Sequence, residues 1–198
     1  MKEFWNERYG QQTYVYGVLP NLFFKEQIAK AKPGNILLPA EGEGRNGVYA
    51  ATQGWSVDAF DYSASGKEKA VQLASKHNVS INYEVETLEN YQIKSGHYDA
   101  VGLIFNHMPS SLRQLVHQRV IEALKPGGSV ILEAFEKNQL GLPSGGPKSI
   151  DMLYSIEELK EDFGSLDIQL LEYADVMLEE GEYHKGPGKT IRLVAIKP

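Results

Sequence analysis

Short apolar runs alternate along the chain with stretches whose apolar residues recur at helical spacing, the signature of a largely parallel sheet wrapped by helices. "NILLPA" (35–40), "SVDAFD" (56–61), "INYEV" (81–85), "YDAVGLIF" (98–105) and "SVILEAF" (129–135) read as five successive strands. The fourth is almost continuously apolar, as a strand covered on both faces should be. Ser65 and Glu68 have capping-box spacing and open a helix carrying Ala70, Val71, Leu73 and Ala74. A following helix presents Leu112, Leu115, Val116 and Leu124 on one face and stops at "KPGG", and Ser155 with Glu158 opens a later helix. Two further strand-like runs, 168–178 and 190–196, close the pattern. The glycine- and proline-rich loop from Lys137 to Met152 reads as a flap, not as a domain linker.

One junction stands apart from this alternation. Directly after the first strand, Gly42, Gly44 and Gly47 form G-x-G-x-x-G at the start of a helix, where glycines let backbone approach a ligand and free N–H groups face it. Asp61 ends the second strand, nineteen residues after Gly42, where a doubly wound fold offers a carboxylate to ribose hydroxyls. The pair points to an adenosine-containing cofactor; close helix–strand packing and turn capping are the alternatives. A dinucleotide enzyme normally needs a second nucleotide half, and little chain remains after the fifth strand, so a smaller cofactor is expected. "GPGKT" (186–190) is no P-loop, since Tyr183 stands where the first glycine belongs and a strand follows.

Composition removes several function classes. The 198 residues suit one domain, and 20 Lys plus Arg against 26 Asp plus Glu leave a net charge of -6, with no basic footprint for nucleic acid or an anionic membrane. The absence of cysteine excludes disulfides, thiolate metal ligands and a cysteine nucleophile, and no other metal-ligand spacing is present. The N-terminal stretch lacks a signal-peptide core and no run approaches the roughly 20 apolar residues of a membrane span, so a soluble, cytoplasmic protein is expected. Oligomeric state is left open.

"WNERY", "EGEGRN", "DAFDYS", "FNHMPSSLR", "ALKPGGSVILEAF" and "EYHKGPGKTIRLVAIKP" together resemble small class I S-adenosylmethionine-dependent methyltransferases of the tellurite-resistance and thiopurine type. The resemblance covers nearly the whole chain. It implies a Rossmann-like, doubly wound, mostly parallel seven-stranded α/β sheet with an antiparallel C-terminal hairpin. It also implies S-adenosylmethionine over the glycine turn and Asp61 on its ribose, with cofactor contacts expected from Glu41, Gly42, Gly44, Arg45, Asn46, Asp61, Tyr62, Ser63, Glu86, Thr87, Leu88 and Asn106. Relatives often carry a small residue or cysteine at the position of Glu41, which either takes the cofactor's ammonium or accepts N–H bonds within its own turn. Where relatives place Asp-Leu for the adenine amino group, this chain has Glu86, Thr87 and Leu88.

Ligands in such sheets bind outside the carboxyl ends of the parallel strands. That rule assigns the rim to 41–45, 61–63, 106–109 and the 137–152 flap, with Tyr183, His184 and Arg192 brought near by an antiparallel last strand. Trp5, Tyr9, Tyr14 and Tyr16, within residues 1–24, are candidates for a lid or for plain core packing. His107, His184 and Arg192 are the candidate catalytic residues, binding the charge of a small soft or anionic acceptor, or acting as base for a neutral one. For Arg192 the alternative is an ion pair with an acidic neighbour such as Glu133. Two other classes stay open, a non-catalytic S-adenosylmethionine sensor and a nicotinamide-dependent reductase.

Overall fold

A computed structural model describes residues 2–198. The elements run α1 (Lys2–Tyr9), α2 (Leu22–Ile28), β1 (Asn35–Pro39), α3 (Arg45–Thr52), β2 (Ser56–Asp61), α4 (Ala64–Lys76), β3 (Asn82–Val85), β4 (Tyr98–Ile104), α5 (Ser110–Ala123), β5 (Leu124–Phe135), α6 (Ile156–Phe163), β6 (Asp167–Glu179) and β7 (Lys185–Ile196). The strands make a seven-stranded, mostly parallel sheet with an antiparallel C-terminal hairpin, the expected Rossmann-like α/β arrangement. Two compact units are distinguished: residues up to Gln92 together with Glu180–Tyr183, and Ile93–Glu179 with His184–Pro198.

In the first unit β1, β2 and β3 pair in parallel, Pro39 opposite Phe60 and Asp61 opposite Val85. Parallel strands need covered faces, and β1 supplies fully buried Ile36, Leu37 and Leu38. Helix α4 begins earlier than the Ser65–Glu68 spacing implies. Ser63 is its N-cap and accepts from the Gly66 N–H. Its inner face packs Leu73 and Ala74 with Val48, joined by Tyr14, Val79 and Ile81. Tyr14 also donates its hydroxyl to the Lys69 carbonyl, which makes it a packing residue of α4.

In the second unit β4 and β5 are parallel, while β7 runs antiparallel to both β5 and β6. The buried face of α5 is Arg113, Val116, His117, Val120 and Ala123, whereas Leu115 is exposed. Polar residues share that inner face because α6 supplies their partners: Asp162 accepts from Arg113 at 2.7 Å and from His117 at 2.8 Å. The Ser155–Glu158 capping box is present at the start of α6 with both reciprocal bonds. β5 begins already at Leu124, so "KPGG" lies inside a strand with an irregular register, and β7 begins at Lys185, earlier than expected. The 137–152 segment is tied to β7, since Gln139 accepts from the Lys189 N–H and Ser144 donates to the Pro187 carbonyl.

Candidate functional site

The glycine turn is built inside the first unit by three buried carboxylates, Glu41, Glu43 and Asp61, each less than a tenth exposed. Asp61 closes β2, where its Oδ1 accepts the Ser63 N–H at 2.8 Å and a Gly42 N–H adds a second bond. Burial outweighs those bonds and raises its carboxyl to about 6. Glu41 lies at the turn's entry and accepts the Gly47 N–H at 2.7 Å, with further bonds from the backbone and side chain of Asn46. Burial again wins and lifts Glu41 to about 7. Glu43 differs: Lys69 Nζ stands 2.7 Å away, and the Val15 N–H donates to the other oxygen. Among the described residues, neither Glu41 nor Asp61 has a salt-bridge partner.

Two of the turn glycines, Gly42 and Gly44, serve packing as much as approach. A Cβ on Gly44, whose φ is +86°, would stand 2.5 Å from Ala70 Cβ on α4, and one on Gly42 would stand 2.7 Å from the Tyr9 hydroxyl. Tyr83 donates its hydroxyl to the Gly42 carbonyl at 2.6 Å. Tyr83, Glu43 and Lys69 carry no signal of this role in the sequence, because each acts through a partner remote along the chain.

Residues of the N-terminal stretch lie against this turn. Tyr9 is buried, with the Trp5 ring tilted against it at 5.1 Å and Tyr16 next to Trp5. Trp5 hydrogen-bonds Tyr62, and Asn6 accepts from the Ser63 hydroxyl at 2.8 Å. Arg8 lies over the rings of Phe4, Trp5 and Tyr183. Arg45, first residue of α3, pairs with Glu180 at 2.9 Å while its Nη1 is buried without a partner. Asn46 Oδ1 accepts the Asn21 N–H. Glu86 donates its N–H to the Asp61 carbonyl, so the Glu86–Leu88 segment begins beside Asp61. Of the expected cofactor residues, the first unit contains all except Asn106.

The second unit holds Asn106 and the candidate catalytic residues. Phe105, just past β4, has φ +50°, and Asn106 Nδ2 is buried without a partner. His107 is packed between Phe135 and Tyr154. Its Nδ1–H donates to the Met152 carbonyl at 2.8 Å and its Nε2 accepts the Phe135 N–H at 3.3 Å. Burial lowers its pKa to about 4, so the ring is neutral with both nitrogens engaged. His184 sets its edge against Phe105 at 4.6 Å and Phe135 at 5.2 Å. Arg192 Nε pairs with buried Glu133 at 2.7 Å, directly across the β5–β7 register.

Comparison with known proteins agrees with this architecture. Residues 36–128 match the family described as a methyltransferase domain. A 2-heptyl-1-hydroxyquinolin-4(1H)-one methyltransferase of Mycobacteroides abscessus is 24% identical over 131 residues, covering 65% of this chain and 56% of that protein. The match thus spans little more than half of that relative's length. A structure described under the conversion of a disulfide bond into a thioacetal group during echinomycin biosynthesis superimposes with a TM-score of 0.77 at 15% identity, over 100% of this chain and 92% of the other. TehB from Haemophilus influenzae gives 0.76 at 15% identity over 100% and 67%. Residues 36–128 thus resemble a methyltransferase domain, and the chain shares its overall fold with these solved structures.

Proposed function

We propose that this protein transfers a methyl group from S-adenosylmethionine to a small soft or anionic acceptor. The observation that carries the cofactor assignment is the pair of buried carboxyl groups, Glu41 and Asp61, at the glycine turn. Among the described residues Glu41 and Asp61 are held without ion-pair partners, which suits a ligand bearing a sulfonium and an ammonium and disfavours a dinucleotide's pyrophosphate. Asp61 would take the ribose hydroxyls, Glu41 the cationic end, and Tyr9 with Tyr62 the apolar surroundings. When bound, the cofactor would supply an electrophilic methyl group for the acceptor's lone pair, with a neutral thioether as the leaving group. The reaction disperses charge, so orientation and exclusion of water by the chain supply much of the effect.

The acceptor reading draws support from the second unit. Arg192 has its charge compensated by Glu133 and His107 has both nitrogens occupied, so the aromatic surfaces of Phe105 and Phe135 and the unpartnered Asn106 Nδ2 are the groups suited to an acceptor. Such surroundings favour a soft or self-ionising group on a small molecule, such as a thiol, selenium or tellurium species, or an acidic hydroxyl on a heteroaromatic ring. The relative named for a hydroxyquinolone points the same way.

Calorimetry with S-adenosylhomocysteine and NAD side by side tests the cofactor, followed by product detection over a thiol, selenol and N-hydroxyheteroaromatic panel. Asp61→Ala should cost about 1.5–3 kcal/mol of S-adenosylhomocysteine affinity, the loss of a charged hydrogen-bond partner. Preference for NAD, or normal affinity in a folded Asp61→Ala variant, defeats the assignment; binding with no methylated product identifies a sensor.

A further inference from the structure

A helix N-terminus that follows a strand and a glycine turn is an anion site by default, because its first N–H groups lack intrahelical acceptors. In α3 the N-cap is Gly44, which has no side chain to satisfy them. Glu41 does so from three residues earlier. Its Oε1 accepts the Gly47 N–H at 2.7 Å, and Asn46 adds backbone and side-chain bonds. A phosphate entering this cradle would have to displace a carboxylate already bonded there and face Asp61 as well. The neighbouring cation, Arg45, is drawn to Glu180 through Nη2, while Nη1 is buried with no acceptor. The cradle and the guanidinium together have the donors of a phosphate site, and Glu41 occupies it.

We propose that Glu41 is a specificity-determining residue: by filling the amide cradle of α3 with its own carboxylate, it makes the turn accept an adenosyl ligand with a cationic tail and reject phosphate-bearing adenine nucleotides. The inference rests on the adenosyl reading of the turn. It goes further in saying which residue turns a general dinucleotide-type motif against dinucleotides, and it makes the exclusion reversible by substitution. With Glu41 shortened, the Asn46 and Gly47 N–H groups lose their acceptor and, with the Arg45 charge nearby, form a site for a phosphoryl group.

The test is calorimetry with ADP, NAD and S-adenosylhomocysteine on the full chain, at about pH 8.5 so that Glu41 is ionised, using wild type, Glu41→Ala and Glu41→Gln. Wild type should bind S-adenosylhomocysteine and bind ADP at least about tenfold more weakly. Glu41→Ala should gain roughly tenfold or more for ADP with no gain for S-adenosylhomocysteine. Glu41→Gln removes the charge and keeps an oxygen for the Gly47 N–H, so its ADP gain should be smaller but measurable. Circular dichroism reports whether each variant is folded; if Glu41→Ala is not, the sign of the Glu41→Gln change decides. Unchanged ADP affinity in the folded variants, or wild type binding ADP as tightly as S-adenosylhomocysteine, overturns the proposal. Wild type failing to bind S-adenosylhomocysteine would sink the adenosyl reading instead, and the ADP comparison would still register whether Glu41 guards the cradle.

Discussion

Gly44→Ala isolates what the middle glycine of the turn is for. The residue sits in the left-handed region at φ +86°, and an added Cβ would lie 2.5 Å from Ala70 Cβ and 2.8 Å from Ala70 Cα. A side chain in left-handed backbone costs about 1–2 kcal/mol. Forcing an extra methyl into a packed contact costs about 1–3 kcal/mol more, since the thing met is helix backbone and not a flexible tip. The sum, roughly 2–5 kcal/mol, is a large share of the 5–15 kcal/mol by which domains are usually stable. For a chain of this size about 1 kcal/mol moves Tm by 2–4 °C, so thermal unfolding should shift downward by roughly 4–20 °C. Ala70→Gly in the same chain should relieve only the Cβ part of the clash. The double variant should therefore be more stable than the two single losses added, by about 0.5–3 kcal/mol. A Gly44→Ala variant with wild-type Tm that has lost S-adenosylhomocysteine binding would refute this reasoning, because the space beside Gly44 would then belong to the ligand and not to α4.

Two further outcomes follow from the charges. Glu41 and Asp61 have folded pKa values raised from 4.5 to about 7 and from 3.8 to about 6; the stability they contribute is full below their unfolded values and is lost as pH rises through about 6–7. At about 1.4 kcal/mol per unit the ligand-free protein should be several kcal/mol less stable at pH 8 than at pH 4 from these two groups, and Glu41→Gln should flatten the profile in pH-dependent urea titrations; a pH-independent wild type contradicts it. Arg192→Met should destabilise by a few kcal/mol because it removes the cation paired with buried Glu133, and adding Glu133→Gln should recover much of the loss; a wild-type Tm with selectively lost turnover would instead give Arg192 a direct role toward the acceptor.

Features written in local pattern are legible in the amino-acid sequence itself. The glycine turn, Asp61 at a strand end and the Ser155–Glu158 box each occupy one short stretch, and the strands announce themselves by apolar runs. What escapes such reading is decided by remote partners. "EGEG" contains two glutamates with opposite fates: Glu41 accepts the Gly47 N–H in the first turn of α3, while Glu43 pairs with Lys69. Ser63, not Ser65, caps α4 because Asp61 and Asn6 hold that serine at the helix entry. The expected face of α5 fails at Leu115 since Arg113 and His117 are rendered buriable by Asp162, a compensation that hydrophobic periodicity does not encode.

The hook at Val15 bears on how the chain reaches this state. Val15 is held on one side by Glu43 and on the other by residue 182, whose N–H donates to the Val15 carbonyl at 3.2 Å, while Gly181 lies close enough that a Cβ there would meet the Val15 carbonyl oxygen. A closure spanning most of the polypeptide raises contact order, and contacts of that range are reached late and slowly. During synthesis, which delivers N-terminal segments first, the glycine turn emerges long before Glu180–Tyr183 does. The first unit must therefore wait, incompletely sealed, until Glu180–Tyr183 have left the ribosome, and binding that depends on the finished turn becomes a mark that synthesis has passed that segment.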